Sequence, residues 1–235
     1  MNENVLDVHI ERAGYSDSKN TITNIQFHIE RGELVGLIGA NGSGKSTTIK
    51  AILNMLEMDG KVTFSSDKGK RYAYVPEQPS FYEELTLWEH LEFAATVCEL
   101  PEEWMDYANT LLQDFRMDHV IHHLPTSFSK GMQQKLMIIL AFMIKPDVYI
   151  VDEPFIGLDP KSTKMLLRYL EKEKERGAGI LMSTHVLDTA EKYCDRLLLI
   201  ADGVIRVNGT LADIQRLAKL DSGSLMDCFE ELMEW

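Results

Sequence analysis

The chain has 235 residues, 45% of them hydrophobic and 26% charged, which is typical of a folded globular protein with one large α/β domain or two small ones. Its 24 basic and 37 acidic residues give a net charge of −13, which argues against nucleic acid as a partner and against unaided adsorption to anionic lipid. The longest apolar run, 136–144, is far shorter than the roughly 20 residues of a membrane-spanning helix.

The cysteines and the start of the chain both predict a cytosolic protein. Cys98, Cys194 and Cys228 are odd in number, widely spaced and not arranged as CxxC, so reduced thiols are expected. The first four residues, MNEN, are polar and acidic and lack the character of a signal peptide. A role at the membrane would therefore require a partner that spans it.

Alternation of apolar and polar residues predicts two β-strands near the start of the chain, at 5–10 and 21–29. Between them, residues 14–17 are predicted to form a turn that carries Tyr15. An aromatic residue beside a turn packs more often than it binds a ligand, so Tyr15 taken alone favours a packing role.

The next predicted strand, 33–38, leads into residues 39–47, GANGSGKST, which fit the pattern G-x-x-x-x-G-K-[ST], and then into a predicted helix at 47–56. A strand, a glycine-rich turn and a helix in this order place backbone N–H groups around an anion, which argues against a chance glycine-rich turn. Lys45 would contact the β- and γ-phosphates of a nucleotide, and the Ser46 hydroxyl would bind Mg²⁺. The predicted phosphate-binding residues are Gly39, Asn41, Gly42, Ser43, Gly44, Lys45, Ser46 and Thr47.

The middle of the chain changes from strands to helices. A turn at Asp59-Gly60 and strands at 61–64 and 72–75, separated by a polar loop, are predicted first. Helix-forming residues then dominate, and Thr86 with Glu89 forms a plausible capping box at the start of a helix. Further helices are predicted to start at 101–103 and to span 132–144, so an all-helical subdomain is expected at 79–145.

Two carboxylates follow a predicted buried strand at 148–151, at the edge where open parallel sheets bind their ligands. Asp152 is predicted to hold Mg²⁺ directly or through water, and Glu153 to act as the general base on an attacking water. Adjacent acids more often form a solvated turn, but the buried strand before them favours the functional interpretation.

The last third of the chain predicts strands that alternate with helices, and hence a mostly parallel sheet with helices on both faces. One strand ends on His185, and a hairpin turn is predicted at 201–204. The C-terminal segment 221–235 has the pattern of an amphipathic helix that either packs on the core or contacts a partner. The other predicted elements are helices at 162–176 and 187–193 and strands at 179–185, 196–200 and 205–207.

In this order the motifs resemble those of the ATP-binding cassette (ABC) transporter ATPases along nearly the whole chain. By this resemblance Tyr15 stacks on adenine. Residues 128–133, FSKGMQ, stand in the place of the signature L-S-G-G-Q and keep Ser129 and Gly131, which in the family face the γ-phosphate held by the partner subunit.

The same resemblance assigns three further segments. Residues 157–160, GLDP, resemble the D-loop, which crosses the dimer and here contains Asp159, and His185 resembles the histidine that contacts the γ-phosphate. Counting back from Leu85, the position of the family's Q-loop glutamine falls on Glu77, with Gln78 next to it. A carboxylate at that position can still bind Mg²⁺ or position a water.

The resemblance implies a fold and an activity. The fold is α/β, a P-loop NTPase (RecA-like) core with an antiparallel β subdomain and an inserted α-helical subdomain. A single domain, 1–235, would comprise a nucleotide-binding core at 1–78 and 146–210, the helical subdomain and a C-terminal extension at 211–235. The catalytic residues would be Lys45, Glu153 and His185, acting on ATP with Mg²⁺ held by Ser46, Glu77 and Asp152.

Four shorter strings, YEELTL, FSKGM, DEPF and MSTH, resemble the Ecs-type ATPases of Gram-positive bacteria. This implies an exporter, plausibly of small peptides, in which a homodimer with ATP at its interface powers a multispanning membrane permease from the cytoplasmic face of the cell membrane. A soluble ABC ATPase without a transport role is the alternative. Such proteins usually carry two cassettes or a long coiled-coil insertion, and this chain has neither.

Overall fold

The structure is a computed structural model that describes residues 4–15, 18–65, 72–220 and 222–233. These residues form two β-sheets and eight α-helices. The strands are β1 Asn4–Tyr15, β2 Ser18–Glu30, β3 Leu34–Ile38, β4 Met58–Phe64, β5 Tyr72–Val75, β6 Val148–Asp152, β7 Gly179–Thr184, β8 Arg196–Ala201 and β9 Val204–Gly209. The helices are α1 Lys45–Ile52, α2 Leu87–Val97, α3 Trp104–Asp114, α4 Lys130–Ile144, α5 Pro160–Glu175, α6 Leu187–Tyr193, α7 Leu211–Leu217 and α8 Leu225–Met233.

The smaller sheet is antiparallel, with strand order β2-β1-β4. The predicted turn at Asp59-Gly60 is wrong, because both residues lie inside β4. Gly60 pairs with Ile10 at a φ of 135°, and a Cβ there would lie 2.2 Å from the carbonyl oxygen of His9. The glycine therefore permits a close approach of two backbones rather than a reversal of the chain. Most of the polar loop predicted at 65–71 lies outside the described residues.

The larger sheet has the order β5-β6-β7-β3-β8-β9 and is parallel except for β9, as the alternation of strands and helices predicts. Strands β3, β6 and β7 are buried along their whole length. The predicted hairpin turn is confirmed, with Asp202 and Gly203 both left-handed at φ 50° and 74°. Because β3, β6 and β7 are neighbours, the loops after their carboxyl ends meet at one edge of the sheet.

Helices α2, α3 and α4 lie between β5 and β6 in the chain, as expected for the helical insertion. The predicted capping box of α2 is present, and Ser129 caps α4 by accepting a hydrogen bond from the N–H of Met132. The predicted end of α1 is wrong. The helix ends at Ile52, and Asn54 takes a left-handed φ of 57° that the apolar residues beyond it concealed.

The C-terminal segment packs on the core. The sequence left 211–217 unassigned, but the capping box of Thr210 and Asp213 starts α7 there. In α8, Leu225 and Cys228 are fully buried in a cluster with Ile38 and Ile214, which decides between the two predicted roles of this helix in favour of packing. None of the helices in the described ranges combines the length and apolarity that a membrane crossing needs.

Candidate active site

The loop between β3 and α1 wraps around its own lysine. The Lys45 side chain is 6% exposed, and its Nζ donates to the carbonyl oxygens of Gly39 at 2.8 Å and Ala40 at 3.2 Å. Gly44 has a φ of 113°, and a Cβ there would lie 2.8 Å from a methyl carbon of Ile22. Glycine is therefore required at this position for the loop to turn into the helix.

A cavity of about 450 Å³ opens above this loop. The cavity is bounded by α1, by the ends of β6 and β7, and by the segment that follows β5. Most of its lining residues were predicted from the sequence, whereas Thr21 and Ile156 were not. The lining residues are Thr21, Asn41, Gly42, Gly44, Lys45, Ser46, Thr47, Glu77, Glu153, Ile156 and His185.

Thr21 reaches the cavity through tertiary packing that no local pattern encodes. The hairpin between β8 and β9 packs on β2, where a Cβ on Gly203 would lie 2.2 Å from the carbonyl oxygen of Thr21. The N–H of Gly203 also donates to the carbonyl oxygen of Ser43 at 2.9 Å. One tight hairpin turn therefore holds both β2 and the loop between β3 and α1, residues 39–44, in place. We call this loop the phosphate loop.

The loop fits a phosphate chain. The Ser43 hydroxyl is buried and has no hydrogen-bond partner among the described residues, so it is available to an anion. At Gly42, with φ 81°, a Cβ would meet nothing within 4 Å, so the backbone is open to a ligand. At Gly39 a Cβ would lie 2.3 Å from the carbonyl oxygen of Ile200, which explains the glycine there by packing.

Asp152 and Ser46 present oxygen atoms to each other across the end of the sheet. Asp152 Oδ1 accepts from the hydroxyl of Ser183 at 2.5 Å and from that of Ser46 at 3.5 Å. Hard oxygen donors of this kind fit Mg²⁺. Burial raises the pKa of Asp152 above its ordinary value, while the hydrogen bonds from Ser183 and Ser46 oppose that rise.

Ser183 lies at this site, and the sequence did not assign it a role. It pairs with Asp152 across β6 and β7, so its role follows from strand order and register rather than from a motif. Its hydroxyl and carbonyl oxygen also accept from the N–H of Glu153, at 3.0 and 3.2 Å. These contacts hold Glu153 at a left-handed φ of 45°, a conformation that costs a non-glycine residue about 1 kcal/mol.

The Glu153 carboxylate joins Lys45 and His185. Its Oε2 lies 2.8 Å from His185 Nδ1, and its Oε1 lies 3.5 Å from Lys45 Nζ. The Glu153 side chain is only 8% exposed. The structure therefore brings together the three residues that the sequence predicted to be catalytic.

Glu77 also faces this cavity, whereas the neighbouring Gln78 is not among its lining residues. The negative charge of Glu77 is a secondary cause, after burial, of the raised pKa values of Asp152 and Tyr74. The side chain therefore lies within electrostatic range of the Asp152 carboxylate.

The four predicted nucleotide-binding residues outside the loop 39–47 do not line the cavity. Tyr15 ends β1 with 43% exposure and accepts a hydrogen bond from Lys50 Nζ at 3.4 Å. Ser129 and Gly131 lie at the start of α4, and Asp159 caps the start of α5. Within one chain, these residues do not line the same cavity as Lys45.

A buried lysine in a loop at a helix N-terminus, with two carboxylates at the end of a nearby parallel strand, defines a P-loop nucleotide-binding protein. Residues 22–156 match a family model described as ABC transporter. The chain belongs to the ABC transporter family: it is an ATP-binding subunit of such a transporter and an ATPase.

Relatives in sequence and structure agree with this assignment. The chain is 54% identical to an uncharacterized ABC transporter ATP-binding protein, YthP, of Bacillus subtilis, over 98% of both chains. It is 41% identical to the ABC-type transporter ATP-binding protein EcsA of the same organism, over 97% of this chain and 96% of that protein, which confirms the predicted resemblance to Ecs-type ATPases. A solved ATP-binding subunit of an ABC transporter matches with a TM-score of 0.91 and 42% identity, over 97% of this chain and 99% of that one, and confirms the predicted fold.

Proposed function

We propose that this subunit hydrolyses Mg²⁺-bound ATP at the interface of a head-to-tail homodimer and thereby powers a multispanning membrane permease. The observation that carries the proposal is the buried meeting of Lys45, Glu153 and His185 at one cavity. The phosphate-release assay on the Glu153→Gln variant, described in the Discussion, tests it.

The proposed chemistry assigns a role to each of these side chains. Mg²⁺, when bound through Ser46, Asp152 and Glu77, would neutralise charge on the phosphates. Lys45 contacts the β- and γ-phosphates. Glu153 Oε1 is buried without a hydrogen-bond partner among the described residues, so it is free to accept a proton from water, while the contact with His185 orients the carboxylate through Oε2.

The dimer is proposed because several predicted binding residues lie away from the phosphate loop and its cavity. Ser129 and Gly131 present a helix N-terminus, which attracts an anion, yet the cavity of the same chain does not include them. In a head-to-tail pair each α4 would face the ATP held by the other copy. Tyr15 and Asp159 would complete each site by contacting adenine and the opposite subunit.

Ser129→Arg should prevent ATP-driven dimerisation and leave ATP binding by the monomer intact, because the bulky cation blocks only the surface that meets the second copy. Light scattering and nucleotide titration measure the two properties. Thr86→Arg is the matched control, since it also removes a helix N-cap, of comparable energy, but at α2. An ATP-dependent dimer of the Ser129→Arg protein would contradict the proposed role of the signature segment.

Glu77→Gln should keep ATPase activity and raise the Mg²⁺ concentration needed for half-maximal rate, on the order of tenfold, because a carboxylate near the metal becomes a neutral amide. A Mg²⁺ titration of the hydrolysis rate measures this. Gln78→Ala is the control and should be nearly silent. Loss of activity in Gln78→Ala would mean that the Q-loop register is wrong by one residue.

The helical segment provides the proposed contact with the permease. Tyr82 is 56% exposed and Phe93 is 47% exposed, and their rings lie 5.4 Å apart. Phe81 and Trp88, from the same part of the chain, are partly buried and pack against the hydrophobic core. An apolar aromatic surface of this kind suits a helix from a membrane subunit. We propose that this contact places the protein on the cytoplasmic face of the cell membrane.

We propose that the transporter exports small peptides, because the chain resembles the Ecs-type ATPases along its length. A non-transport ABC ATPase remains the alternative, but the two Bacillus relatives described above are both named as transporter ATP-binding proteins. The proposed division of the single domain is a core at 1–78 and 146–210, a helical subdomain at 79–145 and an extension at 211–235.

A further inference from the structure

Lys135 is a buried cation that the proposed chemistry leaves without a role. It lies on α4, and its side chain is 11% exposed. Its Nζ lies 3.0 Å from Oδ2 of Asp159, at the start of α5. A buried ammonium group needs a partner of opposite charge, and this one finds it in the D-loop segment 157–160.

A second contact joins the same two parts of the chain. A Cβ on Gly131 would lie 2.3 Å from the carbonyl oxygen of Gly157, so α4 and the D-loop segment touch backbone to backbone. Gly131 and Lys135 are four residues apart and therefore lie on one face of the helix. One face of α4 thus holds the D-loop segment at two points.

The Asp159 carboxylate is itself fixed. Its Oδ1 accepts from the N–H groups of Lys161 and Ser162, both at 3.0 Å, and its Oδ2 accepts from the Ser162 hydroxyl at 2.7 Å. The bonds from Ser162 are the main cause that holds the pKa of Asp159 well below its ordinary value, and Lys135 adds to them. The carboxylate is therefore ionised, and the ion pair is intact, at neutral pH.

The pair contributes little to folding stability. The Asp159 side chain is 52% exposed, so water screens the attraction, and exposed ion pairs are worth little. Removing the Lys135 charge leaves the carboxylate with its other three hydrogen bonds and with solvent. A buried lysine that stabilises the fold only slightly is better explained by the position it imposes on its partner.

We propose that Lys135 is a positioning residue that fastens the signature segment 128–133 to the D-loop segment, so that both move as one body when ATP closes the dimer. This inference rests on the proposed dimer, in which the two segments meet the second copy. Without the fastening, closure would have to order the two segments separately, which weakens association.

The first test uses Lys135→Met, which keeps the length of the side chain and removes the charge, in the Glu153→Gln background. The Mg²⁺-ATP dimer should dissociate about tenfold more readily, while ATP affinity of the monomer and the midpoint of thermal unfolding stay close to those of the parent. Lys135→Arg should restore the parent value. A Lys135→Met dimer of parental affinity would overturn the proposal.

A double-mutant cycle separates the pair from other effects of Asp159. Asp159→Asn keeps an acceptor for the helix cap and removes the charge. The double variant should associate no more weakly than Asp159→Asn alone, because the same contact is lost in both. Additive losses would mean that Lys135 acts independently of Asp159.

Hydrogen–deuterium exchange in the nucleotide-free protein makes the test independent of dimerisation. Lys135→Met should raise the exchange rate about two- to fivefold in peptides covering 128–133 and 156–163 and leave β3 and β6 unchanged. Unaltered exchange in these peptides would overturn the positioning role even if the dimer proved real. Conversely, the Glu153→Gln parent could fail to dimerise while Lys135→Met still raises the exchange rate in these peptides. That result would overturn the dimer and support the positioning role of Lys135.

Discussion

Glu153→Gln should slow ATP hydrolysis by roughly 10²–10⁴-fold, which corresponds to about 3–5 kcal/mol of activation free energy. The amide keeps the shape of the side chain but cannot take a proton from water. The geometry supports the proposed role as base, because Oε1 of Glu153 is buried and makes no hydrogen bond among the described residues, while Oε2 lies 2.8 Å from His185 Nδ1.

ATP affinity of this variant should be equal to or higher than that of the wild type. The carboxylate lies 3.5 Å from Lys45 Nζ, so removing its charge takes away a competitor for the lysine and a repulsive partner for the γ-phosphate. Phosphate release and nucleotide titration measure the two effects. Glu175→Gln, an exposed carboxylate on α5, is the control and should hydrolyse ATP at the wild-type rate.

Hydrolysis at the wild-type rate by Glu153→Gln would place the base elsewhere. His185 is then the next candidate, because it contacts the same cavity.

Asp152→Asn should give a different phenotype from Glu153→Gln. It should lose Mg²⁺ and close poorly on ATP, because the carboxylate that faces Ser46 becomes a neutral amide.

Lys45→Ala should weaken ATP binding by more than about a hundredfold, because charge-assisted contacts to two phosphates are lost at once. Lys45 Nζ is already aimed into the loop by the carbonyl oxygens of Gly39 and Ala40, so little reorganisation precedes binding. Nucleotide titration by fluorescence or calorimetry measures the loss. Lys172→Ala, which removes an exposed cation from α5, should bind ATP normally.

Folding of the Lys45→Ala protein has to be verified separately. The lysine is buried, and its removal takes a cation at 3.5 Å away from the buried Glu153 carboxylate, so some loss of stability is expected. Lys45→Met, which fills most of the same volume, is the second variant. Wild-type ATP affinity in either folded variant would contradict the phosphate assignment.

Local patterns in the sequence predict much of this fold. Alternating residues give β1 and β2, and a wholly apolar run gives β6, because buried faces dictate those patterns. The phosphate loop is predicted because its backbone conformation demands glycine at fixed positions. Asp152 and Glu153 are predicted because they follow a buried strand directly.

The features of the fold and the site that the sequence does not predict depend on contacts between distant segments. Ser183 joins the site because β7 lies beside β6, and Thr21 because the β8–β9 hairpin packs on β2. Together with its immediate neighbours in the sequence, Gly60 suggests a turn. Only its pairing with Ile10 in β1 reveals that it lies in a strand. The Lys135–Asp159 pair likewise spans two helices that no short motif connects.

The mass of the Glu153→Gln protein with and without nucleotide tests the central claim most directly. If two chains enclose ATP head to tail, light scattering with saturating Mg²⁺-ATP should give twice the 26.8 kDa of one chain, and Mg²⁺-ADP should return the single-chain mass. A protein that binds ATP, fails to hydrolyse it and still scatters as a single chain at saturation would contradict the shared site.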